Sequence, residues 1–181
     1  MPDAASCAER RTRTVSIRQA VAQADFDAVR ELCWEYRAYL ENFGPEQRRI
    51  TQVFYPETEY ADLMSRLEEK HARPRGIVLL AEIDGQTVGC GMSHALSAEA
   101  AEIKRVFLRE QARGSGAGRA LSQALVDQAR ADGYKVVYLD TSQDFVAARG
   151  LYESIGFEAR GPYAPVPRNM EQHLCFYELT L

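Results

Sequence analysis

At 181 residues, with 46% hydrophobic and 27% charged side chains, the chain has an ordinary globular composition, long enough for one well-buried core and short for two. Its 22 Lys and Arg against 26 Asp and Glu leave a formal charge of −4, which gives no broad attraction for nucleic acid or an anionic membrane. Cys7, Cys33, Cys90 and Cys175 show no CxxC spacing, so a disulfide framework is not expected and a reducing compartment is.

Residues 1–13 are polar and aperiodic, and they read as a disordered tail. Their arginines are followed by no apolar stretch of a secretory signal, and no apolar run approaches the roughly 20 residues of a membrane span. The expectation is a soluble cytoplasmic protein with one domain over residues 14–181. Thr14–Arg18 alternates as a first strand. From Asp25 to Phe43 the residues Phe26, Val29, Cys33, Tyr36, Leu40 and Phe43 recur every three or four positions, which predicts an amphipathic helix stopped by Gly44-Pro45. Gly44–Pro56 reads as irregular and Glu57–Lys70 as a second helix.

Ile77–Ile83 is nearly all apolar, and Asp84-Gly85 is a two-residue turn onto a paired strand, Gln86–Leu96. Gly89 and Gly91 inside that strand suggest a bulge or a close backbone approach. Glu102–Leu108 follows as a strand, Ala117–Ala131 as a helix, Lys135–Asp140 as a strand and Phe145–Ile155 as a helix. Two strands, near Phe157 and at Leu174–Leu181, flank the proline-rich loop Gly161–Met170. Hairpins around a strand–helix–strand crossover predict an α/β (α+β) fold: a mixed, mostly antiparallel twisted sheet with helices on both faces.

The chemistry concentrates at Arg113-Gly114-Ser115-Gly116-Ala117-Gly118-Arg119, between a strand's end and a helix's start. Alternate glycines permit unusual backbone geometry and close ligand approach, while unpaired N–H groups and the helix dipole favour phosphate there. The Walker pattern fails because Arg119-Ala120 follows Gly118, and the GxGxG spacing is not the dinucleotide fingerprint GxGxxG. Read from spacing alone, this segment is a phosphate cradle or a plain turn.

Arg113-Gly114-Ser115-Gly116-Ala117-Gly118 matches the [RQ]-x-x-G-x-[GA] acyl-CoA signature of the GNAT N-acetyltransferase superfamily. The preceding AEIKRVFL resembles that family's fourth strand. AARGLYESIGF, residues 147–157, is similar to its second conserved block, and GPYAPVP…LCFYELTL resembles a small bacterial branch. The resemblance implies splayed central strands and acetyl-CoA as acyl donor. It also implies transfer to a primary amine of a small molecule or protein, by a monomer or homodimer. The alternative is a non-catalytic acyl-CoA sensor, which would need the loop but no acid.

Residue by residue, the resemblance implies that the pantetheine arm lies along Val106, Phe107 and Leu108, with Phe145 where many members carry an asparagine. The pyrophosphate falls to Arg113, Gly114, Ser115, Gly116, Ala117, Gly118 and Arg119. Tyr152 matches the family's general acid; an aromatic on that helix face reads as core when taken alone, and its place in the LYE motif reverses that reading. Glu102 matches a strand glutamate that serves as base in one branch, and otherwise reads as an ion-pair partner of Lys104 or Arg105. The acceptor is expected among Tyr39, Phe43, Arg48, Tyr55 and Tyr163. Cys90 and His94, four apart on one strand and so about 13 Å apart, form no nucleophile–base pair or shared metal site. No metal is expected.

Overall fold

The computed structural model describes residues 13–167 and 169–181. The expected tail, save its last residue, lies outside the described residues, as does Cys7. Seven strands form one sheet: β1 (Val15–Gln19), β2 (Gly76–Ile83), β3 (Gln86–Ala95), β4 (Ala100–Leu108), β5 (Val136–Ser142), β6 (Glu158–Arg160) and β7 (Leu174–Thr180). Their order is β1-β2-β3-β4-β5-β7-β6, antiparallel throughout except for the parallel pair β4–β5. The helices are α1 (Gln23–Asn42), α2 (Pro45–Phe54), α3 (Glu57–Ser65), α4 (Leu67–Lys70), α5 (Ala117–Ala131) and α6 (Val146–Ile155).

Alternation along β2 divides the core between the two faces of the sheet. Ile77, Leu79, Ala81 and Ile83 join Leu121, Leu125, Val126 and Ala129 of α5 on one face. Val78 and Leu80 join Val29, Leu32 and Cys33 of α1 and Tyr60 and Met64 of α3 on the other. The all-apolar run of β2 is thus explained by helices on both sides.

Two expectations change. Residues 45–54 are helical, not irregular: Pro45 opens α2 at its first turn, where a missing N–H costs nothing, so Gly44-Pro45 separates two helices and does not end the layer. The expected helix Glu57–Lys70 divides at Arg66 into α3 and α4. Gly89 fulfils its reading as a close approach, since a Cβ there would meet the Phe107 carbonyl oxygen at 2.5 Å. The ladder of β3 with β4 shifts register between Cys90 and Met92, so Arg105 and Val106 together stand opposite Gly91.

Candidate active site

The site exists because two strands stop pairing. β4 and β5 are bonded only through Ala100–Glu102 and Val136–Tyr138. Beyond Glu102 the two diverge, leaving one edge of β4 unpaired and opening a passage through the sheet. A cavity of 910 Å³ fills this passage, walled by α1, α2, β4, β5, the start of α6 and the loop before β7.

On the α1 face, side chains of β4 and β5 form a charged network. Lys104 Nζ lies 2.5 Å from Asp140 Oδ1 and 2.8 Å from Glu102 Oε1. The Tyr163 hydroxyl donates to Glu102 Oε1 at 2.7 Å and lies 3.1 Å from Asp140 Oδ1. His94 Nε2 meets Glu102 Oε2 at 3.2 Å. Burial alone would raise the Glu102 carboxyl, but His94, the Lys104 charge and the Tyr163 hydroxyl together hold it down, at about 2. Burial disfavours the Lys104 ammonium, and Asp140, Tyr55 and Glu102 more than offset this, so its pKa rises. Burial and the two carboxylate charges push Tyr163 up, so it stays a donor. Two carboxylates against one ammonium leave this wall with one net negative charge, His94 aside.

The opposite face supplies Tyr152 from α6. Its ring packs on Phe157, centroids 5.9 Å apart, and belongs to the core cluster under α5. The side chain nonetheless lines the cavity, and among the described residues its hydroxyl has no hydrogen-bond partner. Burial first, and then Asp140, push its pKa up, so the phenol keeps its proton at neutral pH. Core packing and a free hydroxyl therefore coexist in this residue.

At the end of the cavity the chain turns through the glycine-rich loop. Gly114 and Gly116 have φ of +73° and +85°, conformations that side chains strain to adopt. A Cβ on either would meet nothing within 4 Å, so the space above the loop is open. Ala120 N–H is the first of α5 to find a backbone acceptor, the Gly116 carbonyl, at 3.0 Å. Ala117 N–H is taken by Ser115 Oγ at 3.2 Å. The N–H groups of Gly116, Gly118 and Arg119 are left without an acceptor among the described residues.

Of the residues singled out from sequence, Tyr152, Glu102 and the run Val106–Leu108 line the cavity. Arg113 and Phe145, expected at the cofactor, and Tyr39, Phe43, Tyr55 and Tyr163, expected at the acceptor, line it as well. Gly114, Ser115, Gly116, Ala117, Gly118 and Arg119 continue from Arg113 into α5. The two aromatic groups touch, Phe43 meeting Phe145 edge-to-face at 4.7 Å. Arg48 is a correction: α2 turns Gln47, Ile50 and Thr51 inward, and Arg48 points out, donating to the Glu41 carbonyl at 3.0 Å. Glu102 takes Lys104 as its partner, not Arg105. Sequence reasoning missed Lys104, Asp140, Arg105 and Tyr36. Opposite charges at matching positions of two parallel strands were the available signal for Lys104 and Asp140.

Comparison with known proteins agrees with this geometry. The profile of the Acetyltransferase (GNAT) family matches residues 30–157. The chain belongs to the GNAT acetyltransferase family. An IAA acetyltransferase of Azospirillum brasilense is 32% identical over 131 residues, covering 67% of this chain and 85% of that protein. Among solved structures, an acetyltransferase from Streptococcus agalactiae superposes with a TM-score of 0.70 at 18% identity, covering 92% of this chain and 98% of that one. The Salmonella typhimurium protein yncA, solved with its cofactor acetyl-CoA, has a TM-score of 0.62 at 21% identity, covering 92% and 93%. This GNAT protein is an acetyl-CoA-dependent N-acetyltransferase acting on an amine. The donor fits the residues present: three N–H groups without acceptors converge at a helix start under open space, next to an unpaired strand edge.

Proposed function

We propose that the passage between β4 and β5 carries out direct acetyl transfer to an amine held on the α1 face, with Tyr152 as the acid. The observation that carries this reading is the Tyr152 hydroxyl: buried, kept protonated, free of any protein partner among the described residues, and facing the cavity. An acetyl thioester supplies an electrophilic carbonyl and a sulfur leaving group. The loop Arg113–Arg119 holds the pyrophosphate on its free N–H groups. The unpaired edge of β4 at Val106–Leu108 takes the amide-bearing arm as an added strand, flanked by Phe145. Tyr152 then donates its proton to the sulfur as the carbon–sulfur bond breaks.

The acceptor enters along Tyr39, Phe43, Tyr55 and Tyr163. The net negative wall of Glu102, Lys104 and Asp140 draws it as an ammonium. The amine must lose a proton before its lone pair can attack. Asp140 Oδ1 is occupied by Lys104 and Tyr163, and Oδ2 has no protein partner among the described residues, so Oδ2 is the carboxylate oxygen open to that proton. Glu102, with both oxygens engaged and a pKa of about 2, holds Tyr163 and Lys104 in place.

We read residues 14–181 as one catalytic domain working in the cytoplasm as a monomer or homodimer. The continuous seven-stranded sheet supports the first part. Among the described residues no helix is long and apolar enough to cross a membrane.

The test combines intact-mass spectrometry with release of the CoA thiol. Direct transfer predicts no acetylated protein after incubation with acetyl-CoA alone, and thiol release only when an amine is added. An acetyl group retained on the protein and discharged by the amine would overturn it.

A further inference from the structure

Among the described residues, Arg105 is a largely buried cation without an ion-pair partner. It stands in β4 at φ +51°, in the left-handed region where a non-glycine residue is strained. Its guanidinium lies 5.6 Å from the Tyr55 ring centroid and 5.9 Å from that of Tyr60. Among the described residues, Nε is cut off from solvent with no hydrogen-bond partner, and Nη1 reaches only Met92 Sδ, at 3.8 Å. No carboxylate among the described residues forms an ion pair with it. Glu59 and Asp62, which border a smaller hollow on its outer side, do not reach it either.

A glycine would occupy this bulge without strain, and an apolar side chain would fill the site without desolvating a charge. Both costs fall on one residue, and its side chain lines the main cavity. Its titratable neighbours are Tyr55, Tyr60, Cys33 and Tyr36. Burial keeps Tyr36 and Tyr60 protonated. Cys33 is shifted toward ionisation, by Cys90 first and by the arginine's charge after burial's opposing effect. Tyr36 lies in electrostatic reach of Tyr152, Asp140 and Arg105. The hydroxyls of Tyr36 and Tyr55, like that of Tyr152, have no protein partner among the described residues, and both residues line the cavity. Hydroxyls without acceptors and a guanidinium without a carboxylate partner therefore belong to residues that line one cavity.

We propose that Arg105, with the hydroxyls of Tyr36 and Tyr55, binds a carboxylate of the acceptor, so that the preferred substrate carries its amine and a carboxylate in one small molecule. This rests on the reading above that the amine is placed on the α1 face. The planar guanidinium suits a carboxylate in paired hydrogen bonds. The ammonium end then meets Asp140 while the carboxylate end meets Arg105, and these opposite charges fix which end reaches the thioester.

The experiment uses the full chain and CoA-thiol release with two matched acceptor series: amino acids of increasing amine-to-carboxylate spacing, and the primary amides of the same compounds. The expected result is a kcat/KM for the best acid at least about tenfold above its amide, carried mainly in KM. Arg105→Gln brings that ratio close to one, and Arg105→Lys narrows it less, because an ammonium keeps charge but not the fork. Equal turnover of acids and amides by the unaltered protein overturns the carboxylate site and leaves amine acetylation standing. Turnover of neither series while acetyl-CoA binds overturns the small-amine reading and the carboxylate site together. An acid preference that survives Arg105→Gln places the carboxylate elsewhere. The acid-to-amide comparison needs no variant, so poor folding of Arg105→Gln leaves the proposal open to refutation.

Discussion

Lys104 and Asp140 meet across the point where β4 and β5 part, Nζ to Oδ1 at 2.5 Å. They are the positions after Glu102 and Tyr138, the last bonded pair of the parallel ladder, that face the same side. An ion pair thus continues the register where hydrogen bonds have ended, and it fixes the width of the opening there. If Asp140 receives the amine's proton, Asp140→Asn lowers kcat/KM by about 10²–10⁴ with the acetyl-CoA Kd unchanged. The variant also frees Lys104 to neutralise Glu102, so raising pH should restore little of the loss. Steady-state kinetics from pH 6 to 10 with calorimetry of acetyl-CoA binding checks both parts. Near-normal turnover would move the base elsewhere.

Glu102→Gln distinguishes a base from a brace. A carboxylate held at about 2 is fully ionised across any working pH, so its titration cannot set the acid limb of the activity profile. The expected outcome is a lower kcat at every pH with the shape of the profile unchanged. A flattened acid limb would make Glu102 the base after all.

The same depressed pKa has a consequence for stability. A carboxyl that ionises more readily folded than unfolded adds stability above its unfolded value, and that stability is lost as pH falls. For Glu102 the window runs from 4.5 down to about 2. At about 1.4 kcal/mol per pKa unit, the ceiling is on the order of 3 kcal/mol. Urea unfolding of the native protein and Glu102→Gln at pH 7 and pH 3 should show the difference between them shrinking at the lower pH.

His71 titrates in a higher window. Burial first, opposed by the Ser93 carbonyl, takes its pKa from 6.5 to about 4, so the folded state holds it neutral. The unfolded state protonates it first, hence stability is present above 6.5 and falls as pH drops toward 4. Nδ1 lies 3.0 Å from the Ser93 carbonyl oxygen, a contact the neutral ring satisfies by donating. His71→Asn keeps a donor there and removes the titration, so its unfolding midpoint should vary less between pH 7 and pH 5 than that of the native protein.

Much of the fold was legible because its signals are local. Ala117–Ala131 is helical as the period of Leu121, Leu125 and Ala129 requires, and Asp84-Gly85 makes its turn with both residues at positive φ. The layer between residues 44 and 70 was not, since Gly44-Pro45 is the same dipeptide whether it ends a helix or opens the next. The site divides in the same way. The loop residues follow a contiguous pattern, whereas Asp140, Lys104, Tyr163 and His94 come from three strands and a loop, and only the register of the sheet brings them to Glu102. Arg105 was invisible for a different reason: a bulge reverses the ordinary alternation, so counting by twos puts its side chain on the wrong face.

Gly116→Val tests the loop. The residue holds φ at +85°, which a β-branched side chain adopts at a cost of roughly 1–2 kcal/mol, and the start of α5 must shift to relieve it. A shift of the loop removes the alignment of the N–H groups of Gly116, Gly118 and Arg119. Acetyl-CoA binding should fall at least about 100-fold by calorimetry while circular dichroism reports a folded protein. Unchanged affinity in a folded variant would remove the pyrophosphate from this loop.

Tyr152→Phe is the sharpest test of catalysis against mere binding. The ring packs among Phe157 and Tyr177, with centroids 5.9 and 6.4 Å away, and phenylalanine keeps those contacts. The hydroxyl has no protein hydrogen bond to lose among the described residues, so no partner is left unsatisfied and the melting temperature should hardly change. What disappears is a proton donor aimed into the cavity. Without it the thiolate must leave unassisted, and kcat should drop by about 10²–10⁴ while KM for acetyl-CoA stays near that of the native protein. The defect should also depend on the leaving group, being smaller for a thioester whose thiol is more acidic, because a better leaving group needs less protonation. A variant that turns over at full speed with both thioesters would return Tyr152 to a purely structural place under α5.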